Sequence, residues 1–338
     1  MDTVKIGIIG YGWMGSTHAK VLKTLREAEL VAVADPLREA RVKAQSENPS
    51  IKTYSDPREL LDDNSVDAVI IASPPDTHIP LLVKAVEKHK HVLVEKPLGP
   101  DLESLKPLPD MNPDPDLVIM TAFSLRYHSM YTDLEKMISD LGRTILFQHV
   151  ALGDIPPPKW VLDPRISGGL LNENAIHILY LITWYFGFPE KIYAVIRDHV
   201  KPGLNDNITL TTIHPGNTVS IITRSWTAGQ VVRYYEIIGE KGSIHIDGYL
   251  GGIVRLVKNG EKIEKNYEFE LEEMYKRELG DFIESIKKNR KPMVGLREGI
   301  LMQILVHAAK VSSRENTVVE PMKAGGELAV KLLEKYPG

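Results

Sequence analysis

The chain has 338 residues, more than one hydrophobic core usually supports, so we expect two domains. Apolar residues make up 43% of it and charged residues 25%, as in ordinary globular proteins. A net charge of −4 argues against binding to nucleic acid or to a membrane surface, and the lack of cysteine excludes disulfides, thiolate catalysis and cysteine-ligated metal. We predict no metal site, no signal peptide and no membrane span, and we expect a cytoplasmic protein.

The first motif is a strand followed by a glycine-rich turn. The run Val4 to Ile9 is mostly apolar, and the glycines after it have the spacing G-x-G-x-x-G. Glycine lets the chain turn sharply and approach a pyrophosphate closely, and the N-terminus of the following helix attracts phosphates. The turn therefore predicts dinucleotide contacts by Gly10, Gly12, Trp13, Met14 and Gly15.

A second predicted strand, Leu30 to Ala34, ends in Asp35, which lies about 20 residues after Gly15 (35 − 15). An acid at this distance accepts hydrogen bonds from the adenosine ribose, and its charge repels the 2′-phosphate of NADP. We therefore predict NAD, with NADP the weaker alternative because Arg38 could pair with that phosphate. An ordinary βαβ unit with an acid at a strand end is the other interpretation.

Strands and helices alternate up to residue 122. Four prolines between residues 105 and 115 predict a short, irregular connection before the last strand of this half. Together with the two strands above, the pattern predicts an open, doubly wound parallel sheet of six strands, a Rossmann domain, over residues 1–122. The other four strands are predicted at Ile51–Tyr54, Val66–Ala72, His91–Val94 and Leu117–Met120.

The second half, residues 123–338, has a different pattern. Several consecutive strands without intervening helices predict an α+β domain built on a mainly antiparallel open sheet. These strands are predicted at Thr144–Val150, Lys191–Arg197, Asn207–His214, Thr218–Trp226, Val231–Gly239 and Ile253–Val257. A proline-rich loop is predicted at Ile155–Trp160, and helices at Met130–Leu141, Leu170–Phe186, Glu272–Lys288, Glu298–Ser313 and Glu327–Lys335.

Three residues could carry chemistry. Glu173 and His177 lie four apart on a predicted helix and so share a face, where a carboxylate can orient an imidazole for acid/base work. A solvated surface pair is the alternative, but the helix is apolar nearly all round, which favours a buried site. Lys96 ends a buried strand and could stabilise an alkoxide, although such a lysine is often only a surface residue.

The chain resembles the Gfo/Idh/MocA family of nicotinamide-dependent oxidoreductases over nearly its full length. The motifs that carry the resemblance are the glycine turn with His18 and Leu22, Ser73-Pro74-Pro75-Asp76-Thr77-His78, Glu95-Lys96-Pro97, Phe123 with Arg126-Tyr127, Trp160 with Asp163-Pro164, Ser167-Gly168-Gly169 before His177, and Gly280-Asp281-Phe282-Ile283. The resemblance implies hydride transfer between the nicotinamide and a secondary alcohol carbon of a sugar, polyol or sugar derivative.

The resemblance also implies roles for individual residues. Lys96 would polarise the reacting hydroxyl, His177 would be the acid/base, and the Lys96–Pro97 peptide would be cis. Glu173 and Tyr180 stand where many members have aspartate, so no relative's particular substrate is carried over. A homodimer or homotetramer through the C-terminal sheet is implied as well.

Two other functions stay open at this point. Similar proteins oxidise a sugar only transiently to cleave a glycosidic bond, and others are non-catalytic dinucleotide sensors. The predicted catalytic residues are Lys96, Glu173 and His177. The predicted cofactor contacts are Gly10, Gly12, Trp13, Met14, Gly15, Asp35, Arg38, Ser73, Pro74, His78, Glu95 and Lys96. The predicted substrate contacts are Lys96, Arg126, Trp160, Glu173, His177 and Tyr180.

Overall fold

The computed structural model describes residues 3–154 and 159–337, which form two β-sheets and the helices around them. The strands of the first sheet are β1 (Val4–Ile9), β2 (Ala28–Ala34), β3 (Lys52–Tyr54), β4 (Ala68–Ile71), β5 (His91–Glu95) and β6 (Ile119–Ala122). All are parallel, in the order β3-β2-β1-β4-β5-β6. This order confirms the predicted Rossmann sheet and places a topological switch point between β1 and β4, where ligands bind in such sheets.

Helices cover both faces of this sheet, and β4 is accordingly buried along its whole length. They are α1 (Trp13–Leu22), α2 (Arg38–Glu47), α3 (Pro57–Leu61) and α4 (His78–Glu87). The first turn of α3 is capped, because the Asp56 side chain accepts from the Arg58 N–H and Pro57 occupies the first helical position. The connection between β5 and β6 contains only two short 3-10 turns, which confirms the predicted irregular link.

The second sheet is open and mixed, and only the β7–β10 pair is parallel among its described strands. Its strands are β7 (Thr144–Asp154), β8 (Lys191–Arg197), β9 (Asn207–Ile213), β10 (Val219–Ser225), β11 (Thr227–Gly239), β12 (Gly242–Gly248), β13 (Gly252–Lys258) and β14 (Glu261–Tyr267). Their order is β14-β13-β12-β11-β7-β10-β9-β8, which confirms the mainly antiparallel architecture. Sequence analysis missed β12, which is flanked by glycines, and β14, an edge strand of mostly charged residues.

The remaining helices come from the second half of the chain. They are α5 (Ser129–Asp140), α6 (Pro164–Ser167), α7 (Ile176–Phe186), α8 (Leu271–Lys288), α9 (Leu296–Glu315) and α10 (Pro321–Lys335). Ile300 and Ile304 of α9 share a core with Ile71 and Val94 of the first sheet. The C-terminal helices therefore contact the first sheet as well as the second, and the division at residues 122 and 123 stays a prediction.

Two sequence predictions concern the proline-rich loop and the location of the protein. Residues 155–158 of the predicted proline-rich loop lie outside the described residues, and Trp160 lies in a 3-10 turn, Lys159–Leu162. In the described ranges, 3–154 and 159–337, no helix has the length and apolar character to cross a membrane. The cytoplasmic location stays a prediction.

Candidate active site

The glycine turn between β1 and α1 has the backbone shape that a dinucleotide needs. Gly10 has a φ of +89°, and a Cβ at Gly15 would lie 1.9 Å from the Gly10 carbonyl oxygen, so side chains are excluded at both positions. A Cβ at Gly12 would meet no protein atom within 4 Å, which leaves open space beside the backbone. The backbone N–H groups of Trp13 and Met14 lie in the first turn of α1, where no preceding turn of the helix supplies a carbonyl acceptor. These features fit a pyrophosphate.

Asp35 lies at the end of β2 with its carboxylate held in place. Oδ2 accepts from the Tyr11 N–H at 2.8 Å and Oδ1 from the Leu37 N–H at 2.8 Å. Because a carboxylate has about four lone-pair sites, acceptor capacity remains for two ribose hydroxyls. Arg38, the first residue of α2, is exposed. The residues of the turn and strand end thus fit NAD, although their individual contacts stay predictions.

We expect Asp35→Asn to weaken the preference for NAD. The substitution keeps the shape but removes the charge that repels a 2′-phosphate and strengthens ribose hydrogen bonds. Because such bonds contribute about 1.5–3 kcal/mol, the ratio of kcat/KM for NAD to that for NADP should fall about 10- to 100-fold. Asp62→Asn, on the surface, is the control and should leave the ratio unchanged. An unchanged ratio in Asp35→Asn would contradict this role.

The loops after β4 and β5 are tied to each other. His78 is buried, and its ring nitrogens lie 2.7 Å from the carbonyl oxygens of Ser73 and Pro97. Its imidazole therefore links the two loops, and cofactor contacts by His78, Ser73 and Pro74 stay predictions. Glu95 is also buried, with Oε1 2.8 Å from Nε2 of His18 on α1, so its described contact is to the helix that follows the glycine turn.

Lys96 joins the first half of the chain to the second. Its Nζ donates to Oε1 and to the backbone oxygen of Glu173, both at 2.8 Å. The Lys96–Pro97 peptide is cis, as the resemblance implied. Both side chains are mostly buried, with 13% and 17% of their surfaces exposed, so this ion pair is shielded from bulk solvent. Catalytic roles for the two residues stay predictions, but the structure brings them together.

The helix that carries Glu173 and His177 departs from the sequence prediction. Residues Leu171–Ala175 form a π-helical turn, and α-helix begins only at Ile176. A π turn has hydrogen bonds between residues five apart, in place of the four-residue spacing of an α-helix. No hydrogen bond joins Glu173 to His177 among the described residues, because the Glu173 carboxylate bonds to Lys96 instead; an orienting role for Glu173 towards His177 stays a prediction.

His177 presents an imidazole with unused hydrogen-bonding capacity. Its buried Nδ1 has no hydrogen-bond partner among the described residues. Burial lowers its pKa well below the ordinary 6.5, and the charges of Lys96 and Arg224 lower it further. His177 is consequently neutral near pH 7 and able to accept a proton.

The three residues predicted to flank the substrate lie in different surroundings. The Arg126 guanidinium stacks 3.7 Å from the ring centroid of Trp184, and Tyr180 is buried against Phe123 in a parallel stack at 4.5 Å. Trp160 is half-buried and packs against the same core. Substrate contacts by Arg126, Trp160 and Tyr180 stay predictions.

Sequence analysis missed two buried polar residues on the inner face of the second sheet. His149 of β7 and Arg224 of β10 are 0% and 8% exposed, and their side chains include nitrogens without partners in the described part of the chain. The alternation of side chains along β10 could have revealed Arg224, because it lies two residues from the core residue Ile222 and therefore points to the same face of the sheet.

A third missed residue is Glu278 of α8, close to the Glu95–His18 pair. It is fully buried, and neither carboxylate oxygen has a hydrogen-bond partner within residues 3–154 and 159–337. Burial raises its pKa well above 4.5, and the nearby carboxylates of Glu95 and Asp281 raise it further. Glu278 therefore keeps its proton in the folded protein to a higher pH than in the unfolded chain.

This raised pKa predicts a pH-dependent difference in stability for Glu278→Gln. The unfolded chain ionises Glu278 above pH 4.5 while the folded chain keeps the proton, so wild-type stability falls by at most about 1.4 kcal/mol per pH unit between the two pKa values. The amide variant lacks this loss. In urea unfolding, its advantage over wild type should be larger at about pH 8 than at about pH 5. The exposed Glu272→Gln should show no such trend, and a pH-independent difference in Glu278→Gln would contradict the assignment.

The fold and the site define a class of protein. A Rossmann sheet with a glycine turn suited to a dinucleotide lies beside a second sheet, and a lysine from the first half bonds to Glu173 in a π turn of the second half. This is the arrangement of a nicotinamide-dependent oxidoreductase with a Rossmann part and a mainly antiparallel α+β part. The match to known families makes the assignment specific.

The chain belongs to the Gfo/Idh/MocA family. Residues 4–123 match the model of the oxidoreductase family with an NAD-binding Rossmann fold, and residues 133–245 match the GFO/IDH/MocA C-terminal domain. Three predictions are confirmed: the family, the cofactor NAD, and the enzyme class, which is an NAD-dependent dehydrogenase acting on CH–OH groups.

Relatives extend over nearly the whole chain. Myo-inositol 2-dehydrogenase from Thermotoga maritima is 29% identical over 333 residues, covering 94% of this chain and 98% of that protein. The NAD(+)-dependent scyllo-inositol 2-dehydrogenase of Bacillus subtilis is 27% identical, covering 86% and 88%. A levoglucosan dehydrogenase in complex with NADH and levoglucosan superposes with a TM-score of 0.85 over 94% of this chain and 99% of that one, and at 20% identity it shows the shared fold alone.

Proposed function

We propose that this protein oxidises a secondary alcohol of a sugar, a polyol or a sugar derivative with NAD. The observation that carries the proposal is the contact between Lys96, at the end of a Rossmann strand, and Glu173, in the π turn that leads to His177. On this proposal a cation, a carboxylate and a neutral imidazole act together beside the end of the sheet where the cofactor binds. Two of the relatives described above are named inositol dehydrogenases, which supports a polyol or sugar substrate for this chain as well.

Each residue has a distinct part in the reaction. When bound, NAD supplies the acceptor for the hydride that leaves the carbinol carbon. His177 accepts the hydroxyl proton, since burial keeps its imidazole neutral. The Lys96 ammonium stabilises the negative charge that develops on the oxygen, and the two hydrogen bonds that it donates to Glu173 hold it in position. Asp35 and the glycine turn hold the adenosine and pyrophosphate.

Nicotinamide absorbance tests the proposal directly. The protein is incubated with NAD and a panel of inositols, free sugars, sugar acids and glycosides, and NADH formation and product are measured together. Stoichiometric NADH and ketone support dehydrogenation. Cleavage of a glycoside without net NADH would instead establish the transient-oxidation mechanism, and NAD binding without turnover on any member would favour a sensor.

We also propose that the outer face of the second sheet forms a homo-oligomer. Ile238, Leu146 and Val219 lie side by side on β11, β7 and β10, and each is partly exposed on the face opposite the buried core. Neighbouring apolar side chains on such a face favour association. Light scattering should give a dimer or tetramer, and Val219→Glu should dissociate it while the exposed Val42→Glu should not. A monomeric wild type would refute the proposal.

A further inference from the structure

The inner face of the second sheet carries a buried cation that no described carboxylate neutralises. Arg224 is 8% exposed, its Nη1 is buried without a hydrogen-bond partner, and it forms no ion pair in the described part of the chain. An arginine keeps its charge in proteins, and a buried charge without a partner is strongly unfavourable. Its presence in a folded protein calls for a ligand that supplies the missing charge.

Strand register places a second arginine beside the first. Arg224 of β10 and Arg233 of β11 are both paired with Ala151 of the central strand β7, one on either side. Since neighbouring strands are about 4.8 Å apart, the two backbones lie about 10 Å from each other, with only a small side chain between them. Arg233 is exposed and lies over the ring of Tyr249, 5.8 Å from its centroid.

A second buried residue with unpartnered side-chain nitrogens lies close to Arg224 on the inner face of the sheet. His149 is two residues from Ala151 on the same face of β7 and is fully buried; the Tyr234 backbone lies close to its ring, but neither ring nitrogen makes a hydrogen bond of good geometry within the described residues. Its ring packs 4.3 Å from that of Tyr235. Native proteins leave few buried polar groups unpaired, so two neighbouring ones indicate a binding site.

The catalytic helix passes over the same face. Phe186 of α7 packs against Phe147 of β7 with ring centroids 5.8 Å apart. Nine residues of α-helix back to His177 and four residues of strand on to Ala151 both span about 13 Å, so an antiparallel course of α7 over β7 puts His177 level with the two arginines. The charges of Arg224 and Lys96 both act on the His177 imidazole, in agreement with this placement.

We propose that Arg224 binds a carboxylate of the substrate, so that the reacting alcohol belongs to a sugar acid such as a hexuronate. This rests on the proposed function and makes it more specific. The reacting hydroxyl lies at Lys96 and His177, and the carboxylate lies farther in, at Arg224 with His149. The carboxylate takes no part in the bond changes: the carbinol carbon gives its hydride to NAD, its oxygen gives a proton to His177, and a ketone forms.

Charge balance favours a carboxylate over a phosphate. The buried part of the site offers one guanidinium and one imidazole that burial, with the charges of Arg224 and Arg233, keeps neutral through a lowered pKa. A single negative charge neutralises this site, and a guanidinium binds a carboxylate through two parallel hydrogen bonds. A phosphate dianion would need the exposed Arg233 as well, which lies over the ring of Tyr249.

Binding and turnover together test the inference. Thermal unfolding of the NAD-loaded protein is measured with D-glucuronate, D-galacturonate, D-glucose, myo-inositol and D-glucose 6-phosphate, for wild type, Arg224→Met and Arg224→Lys. The exposed Arg255→Met, on β13, is the matched control. Uronates should raise the melting temperature of wild type and of Arg255→Met but not of Arg224→Met, with a reduced shift in Arg224→Lys. Without ligand, Arg224→Met should be at least as stable as wild type, because it removes an unpaired buried charge.

The steady-state ratio gives the second readout. The kcat/KM for a uronate relative to that for a neutral sugar should fall at least 10-fold in Arg224→Met, the loss expected when a charged hydrogen-bonding partner is removed. Equal binding of neutral sugars and uronates, or a ratio unchanged by Arg224→Met, would overturn the inference while leaving dehydrogenation intact. A stabilising response to glucose 6-phosphate alone would replace the carboxylate by a phosphate and also overturn it. Uronate binding that depends on Arg224 without NADH formation would refute only the proposed function.

Discussion

Lys96→Ala should lower kcat by about 10²–10³-fold or more, the effect of removing a charge that stabilises a developing oxyanion. The variant also leaves the mostly buried Glu173 carboxylate without its cation. The arrangement of groups around the reacting substrate hydroxyl is therefore lost together with the charge. The affinity for NAD should change little, because the glycine turn and Asp35 lie at other strand ends. Steady-state turnover and NAD titration by fluorescence measure the two quantities separately.

The control for Lys96→Ala is Lys84→Ala, which removes an exposed lysine paired with Glu87 on α4. It should leave both kcat and NAD affinity at the wild-type level, because surface ion pairs contribute little. Equal losses of turnover and NAD affinity in Lys96→Ala would place the lysine in the cofactor site alone and remove it from the chemistry.

The first half of the fold was predictable because local pattern and architecture agree there. A strand that helices cover on both faces is apolar throughout, as Ala68–Ile71 is, and a glycine spacing that fits a pyrophosphate also fits a strand-to-helix turn. The order of the strands follows from the repeated strand–helix–strand units of this half. In the second sheet, β14 lies at the edge with nearly every residue exposed, so no alternation marks it as a strand.

The candidate site shows where sequence spacing fails. A four-residue interval allows two side chains to meet but does not require it, and Glu173, in the π turn at Leu171–Ala175, bonds to Lys96, 77 residues away in sequence. No local pattern signals that turn. Arg224 was missed for another reason: it is one polar residue in a β-rich run, and its significance comes only from the strands on either side of it.

His177→Gln should lower kcat for alcohol oxidation by about 10²–10⁴-fold, the contribution of a positioned general base. The amide occupies similar space but cannot take the proton. The wild-type rate should stay level above the pKa of His177 and fall at lower pH, where the imidazole binds a proton. Because burial, Lys96 and Arg224 hold that pKa well below 6.5, the decline lies on the acid side of neutrality.

The residual activity of His177→Gln should lack this acid limb, which a purely structural role would leave in place. A variant with reduced rate and an unchanged pH profile would therefore remove His177 from proton transfer. The neighbouring charges provide a second check on the same assignment. In Lys96→Ala one of the positive charges is gone, so the pKa of His177 should rise towards 6.5, and NMR titration of its ring should show the shift even where turnover is too slow to follow. The Lys84→Ala control should leave that titration unchanged, since its lysine lies on the surface of α4.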